Sequence, residues 1–237
     1  MVETWLTAWQ ALPLYAAFLV AFCLHFTIYM AWACGVSISF WLFRDVFRIG
    51  LVLEERPYYP AQLRTEIVRG TLNCAVISLV TLACLSQTAS AVPSSIGLLL
   101  LELVGLIIFY DPVFYLLHRL LHTPHLRAIH AIHHRSVRPT PWSGLSVHPL
   151  EAVFIELPIL LFALLVPVSV LTLVLFQVVL HYFSSIGHGN FDPFARLKGF
   201  AAVNRLMRMH QLHHSHGNVN YTSFNPIWDM FFGTYRP

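Results

Sequence analysis

Long runs without a charged residue constrain this chain more than any other feature. The stretch Leu14–Phe43 contains no Asp, Glu, Lys or Arg. As a helix it would reach about 45 Å, which exceeds the roughly 30 Å hydrocarbon core of a bilayer. Only 11% of the residues are charged and 57% are hydrophobic, whereas an ordinary soluble domain has about 25% charged residues. The sequence therefore predicts a polytopic membrane protein and excludes a water-soluble globular fold.

Further apolar segments predict two helical hairpins. Thr71–Thr88 and Ser95–Phe109 are separated by a short uncharged link, so they would form the first hairpin. Residues 152–187 contain a single formal charge, Glu156, but about 54 Å of helix is too long for one crossing. Because proline interrupts helices, we predict that this segment forms a second hairpin turning near Pro167.

We predict one all-α membrane domain, a polytopic helical bundle with a histidine-rich metal site at its cytoplasmic face. No signal peptide is expected, since the N-terminus lacks a basic region, and the first helix would be its own insertion signal. The expected parts are the first three transmembrane helices with a basic loop (1–110), a first histidine segment (111–151), the second hairpin (152–187) and a second histidine segment (188–237).

The basic residues predict the orientation. With the N-terminus outside, all 14 Lys and Arg fall on one face of the membrane. The positive-inside rule makes that face cytoplasmic, in a bacterial inner membrane or the endoplasmic reticulum. The net charge of +3 is too small for a nucleic-acid-binding surface. The basic segments are Arg44–Arg69, Arg119–Arg138, Arg196–Arg208 and Arg236.

Histidine is unusually frequent, and eight of the 14 His lie in three tight groups. On a helix, residues three or four apart share a face, so each group offers convergent ring nitrogens. The groups are His118 and His122 in HRLLH, His130, His133 and His134 in HAIHH, and His210, His213 and His214 in HQLHH.

Crowded imidazoles favour a metal site over acid–base catalysis. Protonated rings would repel one another, whereas each neutral ring offers a lone pair to a divalent cation. Eight donors exceed the needs of one ion, so a pair of metals is favoured over one metal surrounded by further histidines. Imidazole suits zinc, copper, iron and nickel alike, so the ligands do not select the metal. The absence of clustered Cys argues against an iron–sulfur site.

These motifs resemble, in order and spacing, the fatty acid hydroxylase or sterol desaturase superfamily of integral membrane di-iron oxygenases. The resemblance covers Asp111–Arg236. It consists of DPVFYLLHRLLH, HAIHHRS, HPLE from His148, HGNFDP from His188, and HQLHHSHGNVNYTSFNPIWDMFFGTYR from His210. The N-terminal half matches only in hydropathy.

The resemblance implies a non-haem centre of two iron ions, for which zinc would be a substitute metal. The implied ligands are His118, His122, His130, His133, His134, His188, His210, His213 and His214. His148 and His181 are expected to be either ligands or residues that orient a ligand, and Asp111 and Asp229 to hydrogen-bond the outer nitrogen of a ligating histidine. The remaining His125 and His216 are expected to support ligands or to face solvent.

The resemblance also implies the reaction, in which reduced iron and O2 attack an unactivated C–H bond of a lipid to give an alcohol or an alkene. Hydroxylation is the preferred expectation. No GxGxxG fingerprint or fused haem segment occurs, so the electrons would come from a separate cytochrome b5, ferredoxin or flavoprotein reductase docked on the basic face. The substrate could be a sterol, carotenoid, fatty acyl chain, sphingolipid or alkylglycerol.

Two carboxyl groups fall inside predicted spans, where an ionisable side chain is expensive. Glu102 and Glu156 are expected either to act in function or to form protonated hydrogen bonds between helices. His25 is too isolated to be assigned as a ligand.

Three other functions fit parts of the pattern. An acyl-lipid desaturase of the three-histidine-box class is disfavoured by the HPLE motif and the WDxxFGTYR ending. A metal transporter or sensor should instead place ionisable residues along a path through the membrane. A zinc-dependent membrane hydrolase would retain tightly bound zinc through purification.

Overall fold

The computed structural model describes residues 9, 11–88, 90–195, 199 and 201–237, without the side chains of 201–204 and 206. The expectations for residues 1–8 and for Arg196 and Lys198 lie outside these residues. Eight helices are named in the described part of the chain: α1 (Leu14–Trp41), α2 (Gln62–Leu85), α3 (Ile96–Leu121), α4 (Arg127–His130), α5 (Pro149–Leu165), α6 (Val170–Gly187), α7 (Ala201–His216) and α8 (Ile227–Phe231).

The architecture is the all-α membrane bundle that the sequence predicts. Four segments, Leu14–Val46, α2, α3 and α6, are long and apolar enough to cross a membrane. The first of them continues from α1 through a π-helical turn at Leu42–Val46. Helix α5, with 17 residues, is at the lower limit for a span. A turn at residues 166–169 joins it to α6, whereas it packs mainly against α2 and α3. The segment therefore turns near Pro167 as expected, and the second membrane hairpin stays a prediction.

Helix α2 begins nine residues before the predicted span because its first turns carry buried polar groups with internal partners. Glu66 accepts hydrogen bonds from Gln62 Nε2 at 2.8 Å, from Ser136 Oγ at 2.7 Å and from Thr140 Oγ1 at 2.5 Å. Hydropathy marks only the part of a helix that faces lipid, so it misses this polar start. The bonds from Ser136 and Thr140 anchor α2 to the segment that follows HAIHH.

Helix α3 is continuous over 26 residues, although Pro112 lies inside it. It packs against α5 and α6 around the fully buried ring of Tyr110, which contacts Phe176 at a centroid distance of 5.1 Å. At its other end, Glu102 accepts hydrogen bonds from the backbone N–H of Ser169 at 3.1 Å and from Thr172 Oγ1 at 2.5 Å. Glu102 thus joins two helices, the second of its two expected roles. These contacts fix the height of α3 and hence the position of its last turn.

Two short strands join the loop after α1 to the loop after α6. Strand β1 (Leu51–Val52) pairs antiparallel with β2 (Phe191–Asp192). Asn190, beside β2, accepts a hydrogen bond from Glu54 N at 2.8 Å and donates one to Glu54 O at 2.9 Å. The loop after α1 is therefore fastened to the loop that follows α6.

Candidate metal centre

Nine histidine side chains meet at one end of the bundle in two adjoining groups. In each group the ring nitrogens that could ligate an ion all lie within 4.8 Å of one another. The first group is His118, His122, His130, His134 and His213, and the second is His133, His188, His210 and His214. All nine ligands that the sequence predicts are brought together, although their binding of metal remains a prediction.

The two groups cut across the sequence clusters. In HAIHH, His130 and His134 belong to the first group and His133 to the second, because the helix changes to a 3₁₀ turn at His133–Arg135. In HQLHH, His210 and His214 share the second group, whereas His213 points into the first. The expectation that each HxxHH cluster converges as a unit is therefore wrong. Each cluster supplies both groups and so holds them side by side.

The first group is built around close contacts between Nε2 atoms. His130 Nε2 lies 3.0 Å from His118 Nε2 and 2.9 Å from His134 Nε2. His213 Nε2 lies 3.0 Å from His134 Nε2 and 3.3 Å from His122 Nε2. The imidazole of His213, on α7, therefore contacts a histidine of HRLLH and a histidine of HAIHH.

The second group is bridged by His188, which follows the last residue of α6. Its Nε2 lies 2.7 Å from His210 Nε2 and 3.1 Å from His133 Nε2, and His214 Nε2 lies 3.1 Å from His210 Nε2. Nitrogen ligands about 2.1 Å from an ion and at right angles to each other lie about 3.0 Å apart. The spacings in both groups match that separation.

The outer nitrogens of several rings are fixed by acceptors. Nδ1 of His118 donates to Tyr221 O at 2.8 Å, Nδ1 of His213 to Val219 O at 2.7 Å and Nδ1 of His188 to Ser184 O at 2.6 Å. His130 Nδ1 donates to the carboxylate of Glu151 at 2.6 Å. Since each neutral ring carries one N–H, these bonds leave the Nε2 lone pairs free for a metal.

The facing ring nitrogens are better explained by a bound cation than by hydrogen bonds between the histidines. The Nε2 atoms of His118 and His130 face each other at 3.0 Å, yet both rings use their N–H on the opposite side. Two lone pairs at that distance repel each other unless a positive ion lies between them. The donor set of the first group is thus suited to hold a metal ion.

Burial keeps these imidazoles neutral. It lowers the pKa of His134 and that of His188 to about 4 each. Burial first, and then the charges of neighbouring imidazoles, hold the pKa of His133 and that of His213 well below the usual value. Neutral imidazole is the form that binds metal, so the site is ready for metal at neutral pH.

Other predicted histidines lie outside both groups. His148 begins α5, where its Nδ1 accepts a hydrogen bond from Leu150 N at 3.1 Å. His181 is buried one to two turns before His188, with its Nδ1 bonded to Gln177 O at 2.9 Å. His125 and His216 are exposed, in agreement with the solvent-facing expectation.

The expected roles of Asp111 and Asp229 need correction. Asp111 accepts hydrogen bonds from Phe224 N at 3.2 Å and from Asn225 Nδ2 at 2.5 Å. Asp229 accepts from Tyr221 N at 2.8 Å and from Thr222. Both carboxylates therefore hold the loop after α7 and not a histidine ring. Backbone carbonyls bond the outer nitrogens of His118, His188 and His213 instead. Asp229 still acts on the site indirectly, since the carbonyl of Tyr221 accepts the bond from His118.

Glu151 is the functional residue that sequence reasoning missed. Its side chain and that of His130 are each only 3% exposed, so the pair forms a buried carboxylate–histidine contact. The HPLE motif contains this residue, but only the fold shows that α5 brings it under His130. Buried carboxylates commonly orient a ligating histidine in this way and raise its basicity.

A cavity of about 330 Å³ leads from the histidines into the bundle. His118, His130 and His133 form part of its wall at one end, and Phe114, Leu117 and other apolar side chains continue the wall between α3, α5 and α6. The volume is within the range of sites that bury a small molecule. An apolar ligand in this cavity would reach both histidine groups.

The fold and site together define a polytopic membrane protein with a paired, histidine-rich site. A sequence model of the family described as fatty acid hydroxylase matches residues 103–234, which contain all nine histidines and more than half of the chain. The chain belongs to this fatty acid hydroxylase family, and the resemblance seen in the motifs is confirmed.

Named relatives are sterol desaturases. The Delta(7)-sterol 5(6)-desaturase of Candida dubliniensis is 30% identical over 194 residues, which cover 76% of this chain and 48% of the relative. The enzymes of that name from Saccharomyces cerevisiae and Eremothecium gossypii are 34% and 36% identical over 140 and 143 residues, 58% of this chain in each case and 37% and 38% of the relatives. The chain thus spans about half or less of the relatives that it matches. No solved structure matches it.

Proposed function

We propose that the protein is a membrane-bound di-iron oxygenase that oxidises an unactivated C–H bond of a lipid, giving a hydroxyl group or a double bond. One observation carries the proposal: two adjoining, all-histidine groups open onto a largely apolar cavity between membrane helices. Membership of the fatty acid hydroxylase family supports this reaction type. The desaturase names of the relatives support the double bond as one of the two outcomes.

The nine histidines would hold two iron ions, with His130, His134 and His213 at the contact between the groups. Bound iron would supply the redox chemistry that activates O2, using electrons from a separate cytochrome b5, ferredoxin or flavoprotein reductase. The chain itself fixes the ring orientations through Glu151 and backbone carbonyls. It also excludes water, since His118 and His213 are only 3% and 0% exposed. A shielded, dry site keeps a reactive oxidant away from solvent.

We propose that the histidine groups face the cytoplasm, in an endoplasmic reticulum or a bacterial inner membrane. The basic residues of the helix ends and loops support this orientation. A lipid would enter the cavity from the bilayer, and the electron donor would dock on the basic face. The metal transporter hypothesis gains no support from the site, because both histidine groups lie together at one end of the bundle.

The test is lipid mass spectrometry of cells that express the wild type, His133→Ala or the control His125→Ala, with a redox partner supplied and membrane levels matched. His125 is exposed and outside both groups. We expect a lipid that gains one oxygen or loses two hydrogens in wild type and control, and its absence in His133→Ala. Equal lipids in all three would contradict the proposal, provided that the purified wild type also oxidises no lipid when supplied with iron and reductant.

A further inference from the structure

Three helices each contribute a polar side chain to the cavity wall, on the part of the helix that lies away from the histidine groups. Tyr110 on α3, Glu156 on α5 and His181 on α6 all form part of its wall, and all are at most 3% exposed. Ionisable and hydroxyl groups are costly at this depth in a membrane unless they are hydrogen-bonded. Their position on three separate helices around one space calls for a common explanation.

Each of the three presents a polar atom without a hydrogen-bond partner among the described residues: Tyr110 Oη, Glu156 Oε1 and His181 Nε2. The opposite atoms are already bonded. Glu156 Oε2 accepts from Gln177 Nε2 at 2.5 Å, and His181 Nδ1 donates to Gln177 O at 2.9 Å. Gln177 therefore orients both side chains, so their free atoms are held in place. Buried polar atoms without a partner are rare in folded proteins and commonly mark a missing ligand or water.

Along their helices, the three residues are separated by about two turns or less from residues of the histidine site. At 1.5 Å per residue, Tyr110 is about 12 Å along α3 from His118, His181 is about 10 Å from His188, and Glu156 is about 7 Å along α5 from Glu151.

We propose that Tyr110, Glu156 and His181 form a subsite that binds a hydroxyl group of the lipid. A hydroxyl can donate one hydrogen bond and accept two. It can donate to His181 Nε2 or to Glu156 Oε1 and accept from the phenol of Tyr110. The rest of the ligand would contact the apolar wall.

The charge of the cavity selects a neutral group. Among the described residues of its wall none is Lys or Arg, whereas Glu151 and Glu156 are both present. At the subsite a phosphate or a fatty carboxylate would meet no Lys or Arg side chain and would be desolvated beside the carboxyl group of Glu156. The substrate class is therefore a hydroxylated neutral lipid and not a phospholipid or a free fatty acid. This identification of the ligand as substrate rests on the proposed function, whereas its binding does not.

Two tyrosines on α3 make a matched pair of variants. Tyr110→Phe removes a hydroxyl that has no partner within the protein, so it should leave the folded state as stable as the wild type. Tyr115→Phe removes a hydroxyl bonded to Thr234 Oγ1 at 3.0 Å and to Arg119 at 3.2 Å, on a residue that is not part of the cavity wall. Both tyrosines are 0% exposed. The two variants therefore match in burial and differ in whether the lost hydroxyl had a partner within the protein.

The experiment measures binding of two matched pairs of probes, cholestanol with cholestane and 1-octadecanol with octadecane, to the full chain in nanodiscs. In at least one pair we expect the wild type and Tyr115→Phe to prefer the alcohol by about tenfold. Tyr110→Phe should weaken alcohol binding by about threefold to tenfold, the typical effect of one hydrogen bond, and leave hydrocarbon binding unchanged. Thermal melting should show a loss of stability only in Tyr115→Phe.

No preference for the alcohol in either pair, or a preference that Tyr110→Phe keeps, would overturn the subsite. Because binding is measured without turnover, the result is separate from that of the oxygenase test. An alcohol preference in a protein that oxidises no lipid would leave the subsite standing and refute the proposed function. Lipid oxidation without an alcohol preference would support the proposed function and refute the subsite.

Discussion

Replacing Glu151 with alanine should weaken one metal site more than the other. Glu151 accepts the Nδ1–H of His130 at 2.6 Å in a pair that is only 3% exposed on each side. Without it, the His130 N–H is buried without an acceptor, which costs about 1–3 kcal/mol. Loss of such a supporting carboxylate typically lowers metal affinity by about 10-fold to 100-fold, which corresponds to about 1.4–2.8 kcal/mol.

His130 belongs to the first group, which has five histidines. The four histidines of the second group have no contact with Glu151 among the described hydrogen bonds. Titration of iron-loaded protein with a chelator should therefore release one iron per chain from Glu151→Ala at about 10-fold to 100-fold lower chelator concentration. The second iron should be released as in the wild type.

Glu102→Gln is the matched control, since Glu102 is also a buried carboxyl in the bundle but bonds to Ser169 and Thr172. It should release both metals like the wild type. Identical release curves for Glu151→Ala and wild type would refute the role of Glu151, and equal weakening in Glu102→Gln would show that the effect is general loss of stability.

Three further outcomes are expected. His133→Ala and His213→Ala each remove a ligand from a different group, so metal analysis should show about one iron lost per chain in each and lipid turnover abolished in both; two retained irons would contradict the assignment. Asp229→Ala leaves the N–H of Tyr221 without its acceptor and should cost about 1–3 kcal/mol of unfolding free energy, seen as a lower melting temperature; an unchanged melt would refute it. In metal-free protein, burial lowers the pKa of His188 to about 4, below its unfolded value of about 6.5. The neutral, buried ring therefore favours the folded state fully above pH 6.5, and this stabilisation is lost as the pH falls from 6.5 towards 4; chemical denaturation that is flat over this range would contradict the sign.

The sequence predicts the helices well where lipid alone decides their extent. The first span is expected at Leu14–Phe43, and α1 with its π-turn occupies Leu14–Val46. The second begins earlier than expected because Gln62 and Glu66 have partners in a distant loop, Arg138 O and Ser136 Oγ. Hydropathy cannot show that these groups are satisfied, so it truncates the helix.

The nine histidines of the site could also be predicted, but not which of the two groups each one joins. HxxHH spacing places rings near one another along one element. Whether His213 joins His122 or His210 depends on how α7 crosses the ends of α3 and α4, which the spacing does not contain. The acceptors of the outer nitrogens are mostly backbone carbonyls, such as those of Tyr221 and Ser184, and no residue type marks them. The sequence points to Asp111 and Asp229 for that task because it shows side chains and not the positions of backbone carbonyls.

The most direct measurement is the iron content and Mössbauer spectrum of wild-type protein grown on iron-57 and purified in nanodiscs, followed by addition of reductant and O2. We expect two irons per chain in nitrogen-rich sites, both lost from the double variant His133→Ala/His213→Ala, and oxidation of the reduced iron by O2. A single iron per chain, or zinc retained in place of iron in an active protein, would contradict a di-iron centre held by these nine histidines.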